Sequence, residues 1–355
     1  MKHGVYGVAA LVLVLVACDD ESSGGGTGGS STSSGTGGAS SGTGGASSGT
    51  GGASSGTGGS SSGTGGSSSG SLNGCTVFPG DNAWNTDVSA FDVHPNSDAF
   101  IDSIGRNTNL HPDFGTEWNG APIGIPYVVV PGSQPEVPIN FTAYGAESDP
   151  GPYPVPPDAP IEGGPQSDGD RHVLVVDGDD CVLYELYRAF PVNGGESWDA
   201  DSGAIWDLKI NDTRPLGWTS ADAAGLPILP GLARYDEVVE HGVITHALRF
   251  TVSESQAGFI PPATHYASSN TSPDVPPMGL RVRMKASFDC SGMSAEVQVL
   301  CTGLKTYGMI VADNGADWFV SGAPDSRWDD EALGDLKTVT GDAFEVVYTG
   351  DVQTY

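Results

Sequence analysis

Apolar and polar residues alternate with a period of two along several stretches of the chain after Leu72. The clearest is Leu280–Phe288, where every second residue is apolar and Arg281, Arg283 and Lys285 lie between them. This spacing predicts a β-strand with one face on a hydrophobic core. Runs rich in β-branched or aromatic residues, bounded by Gly, Pro, Asp or Asn, predict further strands at Tyr127–Val130, His172–Asp177, Val182–Tyr187, Val243–Val252, Met309–Ala312 and Phe344–Tyr348.

Helical patterns are few and short. They predict helices at Asp98–Ile104, Leu232–Glu240, Ser294–Thr306 and Asp329–Lys337, with a turn near Ser220–Ala224. Many strands, long loops and few helices favour a mainly-β domain. We therefore predict a single domain over residues 72–355, an antiparallel β-sandwich or jelly-roll-like fold with a few short helices.

The first residues have the pattern of an export signal. Lys2 and His3 precede an apolar run from Val5 to Ala17, too short to span a membrane. The run ends in Leu15-Val16-Ala17-Cys18, which resembles the lipobox of bacterial lipoproteins. That resemblance implies a signal peptide at residues 1–17, cleavage before Cys18 and lipidation of its sulfur. The protein is then expected to be exported and anchored in a bacterial membrane, at the outer membrane or cell surface.

A low-complexity segment follows the anchor. From Glu21 to Ser71 the chain is almost entirely Gly, Ser, Thr and Ala, in a repeat of GTGGASS or a variant of it. No large apolar residue recurs in the repeat, so a coiled coil is excluded. Residues 18–71 are therefore predicted to be a disordered linker, and about 50 such residues have a root-mean-square span of roughly 40 Å.

Charge and cysteine content indicate which partners the protein can bind and in which compartment it works. The chain has 44 acidic against 14 basic residues, a net charge of −30, which argues against nucleic-acid binding because that needs a basic patch. With Cys18 lipidated, four cysteines remain, an even number for an exported protein. Two disulfides are expected; of the three connectivities, we favour Cys75–Cys181 and Cys290–Cys301.

Two histidines are candidate catalytic residues. His246 lies in the predicted strand Val243–Val252, on one face with Ile244, Leu248 and Phe250, so it is either a hydrogen-bonded core residue or a general acid or base in an apolar cleft. His172 opens another predicted strand, where a solvent-facing or carbonyl-bonded position is the alternative to catalysis.

Three acids in apolar or aromatic surroundings are further candidates. Glu185 shares a predicted strand with tyrosines, Asp207 follows Trp206, and Asp313 closes a strand shortly before Trp318. Paired carboxylates beside aromatic rings are typical of glycan-cleaving sites. The alternatives are an ordinary Asp-Asn-Gly turn at Asp313 and tryptophans that only fill the core.

The absence of several known motifs argues against some classes of enzyme, whereas calcium binding remains a possible property. The chain has no Gly-x-Ser-x-Gly elbow, P-loop or dinucleotide fingerprint, and no HExxH zinc motif. Oxygen-rich loops at Asp168–Asp170, Asp177–Asp180 and Asp199–Gly203 could hold a structural calcium ion, although the last lacks the closing Glu of an EF-hand. No cofactor is required by the sequence.

Five segments resemble a family of exported bacterial proteins to which we attach no activity: Arg171–Asp177, Leu183–Tyr187, Trp218–Gly231, Ile244–Phe250 and Leu304–Gly315. The resemblance implies export and one domain. The residues favour a surface-tethered lipoprotein that acts on a polysaccharide, as a hydrolase using two of the three acids or as a lyase using His246 as base. The alternatives are a non-catalytic glycan-binding or adhesion module and a structural envelope lipoprotein.

Overall fold

The computed structural model describes residues 72–355; the predicted signal peptide, Cys18 and linker lie outside this range. Strand outweighs helix, and the helices are few and short, as predicted. Within the range, the strands are β1 (His111–Asp113), β2 (Glu117–Trp118), β3 (Ala121–Pro122), β4 (Tyr127–Val130), β5 (Ile139–Phe141), β6 (Val173–Asp177), β7 (Val182–Tyr187), β8 (Phe190–Val192), β9 (Ser197–Ala200), β10 (Ser202–Asp207), β11 (Leu248–Val252), β12 (Arg281–Met284), β13 (Met309–Asn314), β14 (Phe319–Ser321) and β15 (Phe344–Val346).

The helical elements lie between these strands along the chain. The α-helices are α1 (Ser97–Ile104), α2 (Ala295–Thr306) and α3 (Asp330–Leu333), and a π-helix spans Asp236–His241. Short 3₁₀ turns occur at Gly145–Glu147, Leu229–Gly231, Gly334–Thr338 and Gly341–Ala343.

Two main sheets carry the fold. One has six strands in the order β1-β14-β11-β13-β12-β15, and the other has four in the order β10-β7-β6-β4. Both are mixed: β1/β14, β11/β13 and β4/β6 pair in parallel, whereas the remaining pairs in these sheets are antiparallel. Smaller sheets are formed by β5-β9-β8 and by the hairpin β2-β3.

Strand β6 shows how the layers are arranged. All five of its residues are buried, so both faces of the strand are covered. Leu174 and Val176 belong to the large hydrophobic core, which also contains Phe250 of the six-stranded sheet, whereas Val173 and Val175 belong to a second, smaller core. The four-stranded sheet therefore has one core on each face, and both main sheets contribute to the larger core.

Both favoured disulfides are present. Cys75 is bonded to Cys181 with a Cα–Cα distance of 5.5 Å, and Cys290 is bonded to Cys301 with a Cα–Cα distance of 6.6 Å. Cys181 ends the connection between β6 and β7, so the first bridge attaches the start of the described chain to that hairpin. The second joins a turn to helix α2.

The strand predicted at Val243–Val252 is wrong in its first half. Strand β11 begins only at Leu248. The π-helix ends at His241, the following Gly242 adopts a left-handed conformation with φ of 67°, and Ile244 packs beside Gly303 of helix α2. Because residues 243–247 are not extended into the sheet, period-two alternation does not determine where His246 points. The strand predicted at Leu280–Phe288 is likewise shorter and ends at Met284.

Candidate active site

Arg249 is the centre of a cluster of buried charges. It lies on β11 and is 4% exposed. Its Nε and Nη2 atoms donate to the two carboxylate oxygens of Asp222, each at 2.7 Å, and Nη1 donates to Ser321 Oγ at 2.5 Å. This two-pronged pairing fixes the orientation of the guanidinium. The buried Arg249 is thus a fixed positive charge.

A β-bulge brings Asp313 to the same charge. Phe250 pairs with Val311, but Thr251 pairs with Asp313, so Ala312 is an extra residue in β13. Paired residues point to the same face of a sheet, and Arg249 and Thr251 share a face, so the bulge turns Asp313 toward Arg249. Asp313 Oδ2 lies 3.6 Å from Arg249 Nη2, the atom that also binds Asp222.

Asp313 is the protonated member of this carboxyl pair. Burial raises its pKa well above the usual range, and the neighbouring Asp222 charge raises it further despite the opposing effect of Arg249. A hydrogen bond to Asp222 also favours the neutral form. Two carboxylates this close cannot both ionise freely, and Asp222 is the one held by Arg249. The Asp313 side chain remains 21% exposed, so its proton is accessible.

Glu162 and His172 form a second buried pair, and in this pair the carboxyl group is held ionised rather than protonated. Glu162 Oε2 lies 2.6 Å from His172 Nδ1, and His172 Nε2 lies 3.1 Å from the carbonyl oxygen of Ala221. Burial by itself disfavours the imidazolium, but the Glu162 carboxylate outweighs it and raises the pKa of His172 to about 9. Burial would likewise raise the pKa of Glu162, but the His172 charge and hydrogen bonds lower it below its ordinary value.

The Arg249–Asp222 pair and the His172–Glu162 pair are linked by residues that are neighbours in the chain or in the sheet. Ala221, which accepts from His172, immediately precedes Asp222, which binds Arg249. Asp113, at the end of β1, pairs with Ser321 in the sheet, and burial followed by the Glu162 charge raises its pKa to about 6. We call Asp113, Glu162, His172, Asp222, Arg249, Asp313 and Ser321 the acid cluster. It combines a proton donor with an ionised carboxylate, which is the equipment of general acid–base catalysis.

The five predicted catalytic residues are divided among different places. His172 and Asp313 both lie in the acid cluster. Glu185 is fully buried: one carboxylate oxygen accepts from Ile228 N and Leu229 N, and the other accepts from Trp206 Nε1. Burial raises the pKa of Glu185 to about 7.

Asp207 and His246 lie outside the acid cluster. Asp207 ends β10, and its carboxylate contacts Lys209. His246 has Nδ1 2.8 Å from the carbonyl oxygen of Ala247 and Nε2 3.0 Å from Glu237 Oε2. Both ring nitrogens therefore face acceptors, and neither presents a free lone pair to a substrate.

The aromatic surroundings differ from the sequence prediction. Trp206 is 4% exposed and Trp318 is fully buried, so neither face can stack on a sugar. Trp318 instead packs against Phe250 and Phe344 and donates Nε1–H to the carbonyl oxygen of Gly105 at 2.9 Å. Trp118 is by contrast 72% exposed, on the β2-β3 hairpin that follows β1 in the chain.

Sequence reasoning missed most of the acid cluster. Asp113, Glu162 and Asp222 lie in loops or at a strand end and carry no motif, and Arg249 was only one charge in an apolar strand. The sole local signal was that charge itself, since an Arg between Leu248 and Phe250 needs a buried partner. Which carboxylate supplies it depends on pairing between segments far apart in sequence.

Metal binding is not indicated by side-chain placement in residues 72–355. No group of three His, Cys, Asp or Glu side chains in that part of the chain is arranged to hold a metal ion. In one of the predicted calcium loops, the Asp177 carboxylate accepts from the backbone N–H groups of Asp179 and Asp180, as in an ordinary turn. Structural calcium stays a prediction.

No helix within residues 72–355 combines the length and the apolar character that crossing a bilayer requires. Compared with protein-family models, curated proteins and solved structures, the chain matches none of them.

Proposed function

We propose that the protein is an exported, lipid-anchored glycan hydrolase whose active site is the acid cluster. One observation carries the proposal: Asp313 is held neutral and Glu162 is held ionised around the same Arg249 charge. Pairs of carboxyl groups whose environments drive their pKa values apart are the usual equipment for splitting a glycosidic bond.

The chemistry assigns one role to each carboxyl group. Asp313 donates its proton to the glycosidic oxygen as the C–O bond breaks, and Glu162 accepts a proton from the water that attacks the anomeric carbon. His172 and Arg249 act as positioning residues, since His172 keeps Glu162 ionised and Arg249 keeps Asp222 charged beside Asp313. The lyase route is less well supported because it needs His246 as a base, and both nitrogens of that ring are engaged.

Trp118 supports a carbohydrate substrate. Its hairpin follows directly after Asp113, and a Cβ placed on Gly164, two residues after Glu162, would lie 3.9 Å from Ala121 of the same hairpin. An exposed indole beside carboxyl groups suits stacking on a sugar ring. The same residue would support the second candidate function, a glycan-binding module without turnover.

Anchoring at a cell surface completes the proposal. The lipobox at Leu15–Cys18 and the Gly/Ser/Thr linker support a tether that lifts the domain away from the membrane. The sandwich or jelly-roll arrangement of the sheets remains a prediction, supported by the core that both main sheets share.

The test is an assay on a panel of acidic and neutral polysaccharides that follows new reducing ends and unsaturated-product absorbance together. We expect reducing ends from one substrate without the absorbance, and a fall of roughly 10²- to 10⁴-fold for Asp313→Asn and for Glu162→Gln. Asp207→Asn is the matched control, an acid to amide change outside the cluster, and should keep wild-type turnover.

Two results would reject the hydrolase. Absorbance from unsaturated uronates that persists in Asp313→Asn would indicate a lyase that does not use this acid. Retention on one polysaccharide in affinity electrophoresis, with no product from any, would leave the binding module as the function.

A further inference from the structure

Asp170 is an exposed acid beside the acid cluster that has no role in the chemistry assigned above. Its carboxylate makes no hydrogen bond or ion pair within residues 72–355. Burial is the main cause of the raised pKa values of Asp113 and Asp313, and the Asp170 charge raises both further. The free carboxylate is therefore within electrostatic reach of the proton donor.

The backbone that carries Asp170 is held in place by its neighbours. The next residue, Arg171, is buried in a left-handed conformation with φ of 52°, which is uncommon for a residue other than Gly. Its guanidinium donates to three backbone carbonyl oxygens, those of Pro165, Ser167 and Ala189. The backbone N–H of Arg188 donates to the Asp170 carbonyl oxygen at 2.8 Å. Because the loop is already ordered, a ligand that binds the Asp170 carboxylate pays little for fixing the backbone.

Tyr187 presents a free hydroxyl in the same place. It is the last residue of β7, and its ring centroid lies 5.6 Å from that of His172. The hydroxyl makes no hydrogen bond within the described residues, and it reaches solvent, since it is not among their buried unpaired polar atoms. Burial raises the pKa of Tyr187, and of the nearby charges Asp170 raises it most, followed by Asp313. The hydroxyl therefore keeps its proton at neutral pH and lies near both carboxyl groups.

These two side chains suit a sugar better than a charged ligand. The Tyr187 hydroxyl donates a hydrogen bond, and the Asp170 carboxylate accepts from one or two hydroxyl groups. Neighbouring hydroxyls on a sugar ring offer both kinds of partner. A uronate carboxylate only accepts, and the Asp170 charge would repel it.

The arginines near this position are already engaged, so they do not offset that repulsion. Arg249 uses all three of its nitrogens on Asp222 and Ser321. Arg171 is bound to backbone carbonyls, and Arg188 Nε lies 3.2 Å from Asp201 Oδ2. The charges at this end of the cluster therefore favour an uncharged ligand.

We propose that Asp170 and Tyr187 form a subsite that holds a neutral sugar unit of the substrate beside Asp313 and rejects uronates. We call this pair the sugar subsite. The inference rests on the proposed function, because it places the subsite next to the proton donor of the hydrolase. It makes Asp170 and Tyr187 specificity-determining residues and names the substrate class as a neutral polysaccharide.

The test measures binding apart from turnover. The whole protein carrying Asp313→Asn is run in affinity electrophoresis on a soluble β-glucan, a xylan and a galactomannan, with polygalacturonate and alginate as uronate probes. We expect retention on a neutral polysaccharide and none on the uronates. Adding Asp170→Asn should weaken retention about tenfold or more, because it removes a charged acceptor, and adding Tyr187→Phe should weaken it roughly two- to tenfold.

Matched controls make the same changes at exposed residues outside the subsite. Asp168→Asn changes an acid of the same loop and alters the net charge equally, and Tyr144→Phe removes another exposed phenol hydroxyl. Both should keep the retention of Asp313→Asn alone. In the active protein, Asp170→Asn and Tyr187→Phe should raise KM by the same factors as they weaken binding, with a smaller change in kcat. A merely structural role would instead lower the melting temperature.

Several results would overturn the sugar subsite: no retention on any neutral polysaccharide, retention on the uronates, equal effects of the control changes, or loss of retention in a chelator. Its failure is distinguishable from failure of the hydrolase. Turnover that falls in Asp313→Asn but not in Asp170→Asn or Tyr187→Phe would reject the subsite and keep the hydrolase. Retention that depends on both residues, without turnover by the wild type, would keep the subsite and reject the hydrolase.

Discussion

Arg249 and Arg234 are both buried arginines beside aspartates, yet their surroundings differ. Each of the three side-chain nitrogens of Arg249 donates a hydrogen bond, two of them to the oxygens of Asp222 and one to the Ser321 hydroxyl. Arg234 leaves two nitrogens without a hydrogen bond. Arg249 recovers the free-energy cost of its burial through charge-assisted hydrogen bonds from all three of its nitrogens. Arg234 recovers less of that cost, because two of its nitrogens are buried without a hydrogen bond.

The sharpest test of this comparison replaces each arginine by methionine. Arg249→Met leaves the fully buried Asp222 carboxylate without its cation, so we expect a loss of about 3–5 kcal/mol in the free energy of unfolding. Arg234→Met should cost less, because Glu237 keeps its contact with His246 and the Arg234–Asp236 ion pair, at 3.5 Å, contains no hydrogen bond to lose. Chemical denaturation of both variants measures the difference.

Adding Asp222→Leu to Arg249→Met is the control for that result. Removing the stranded charge should recover part of the loss, since the penalty comes from an uncompensated carboxylate. Equal destabilisation by the two single variants would contradict the distinction between a paired and an unpaired arginine.

The two disulfides should contribute unequally to stability. Cys75–Cys181 closes a loop with a sequence separation of 106, so replacing both cysteines by alanine should cost about 2–5 kcal/mol in the free energy of unfolding. Replacing Cys290 and Cys301, with a separation of only 11, is the control and should destabilise less. Chemical denaturation of the two double variants measures the difference.

The His172–Glu162 pair should make stability depend on pH. The pKa of His172 is raised from 6.5 to about 9, so its contribution is complete below pH 6.5 and is lost as the pH rises through 9. The pKa of Glu162 is lowered from 4.5, so its contribution is present above pH 4.5 and is lost on acidification.

His172→Gln measures this directly. The stability advantage of the wild type should be greatest between pH 4.5 and 6.5, about 3 kcal/mol, and should shrink by pH 9–10. Denaturation midpoints across that range give the curve. A difference that does not change with pH would show that His172 is neutral in the folded protein.

The smallest expected effect concerns Trp118. Because it is 72% exposed, Trp118→Ala should change the free energy of unfolding by less than about 0.5 kcal/mol. It should weaken polysaccharide binding by roughly 0.5–1.5 kcal/mol if the indole stacks on a sugar. Affinity electrophoresis measures the binding, with exposed Tyr144 changed to alanine as the control. Equal retention of both variants would remove Trp118 from the substrate path.

The sequence predicted local structure well where burial follows a short pattern. Tyr127–Val130 and Val182–Tyr187 are strands with the predicted bounds, and helix α2 begins one residue after the predicted start. The error at Val243–Val252 arose because a β-branched run was interpreted as one strand, although Gly242 and the contact with helix α2 keep residues 243–247 out of the sheet.

The candidate site was only partly predictable. Asp313 and His172 were recognisable as polar residues at the ends of apolar strands. Their roles were not, because the position of Asp313 depends on an extra residue in β13, and the charge of His172 depends on Glu162 in a preceding loop. Neither a bulge nor a long-range ion pair has a periodic signature.

The sequence by itself determined the mainly-β character of the chain, its few helices and the side chains available for disulfides and for acid–base chemistry. These features can be predicted because alternation, turn residues and cysteine number are read directly from the sequence. Only the tertiary structure decided which carboxyl groups share Arg249, which arginine keeps unpaired nitrogens and which tryptophan faces solvent. The physical reason is that pKa values and hydrogen-bond saturation are set by neighbours in space. Here those neighbours come from β1, β11, β13, β14 and the loops around Glu162 and Asp222.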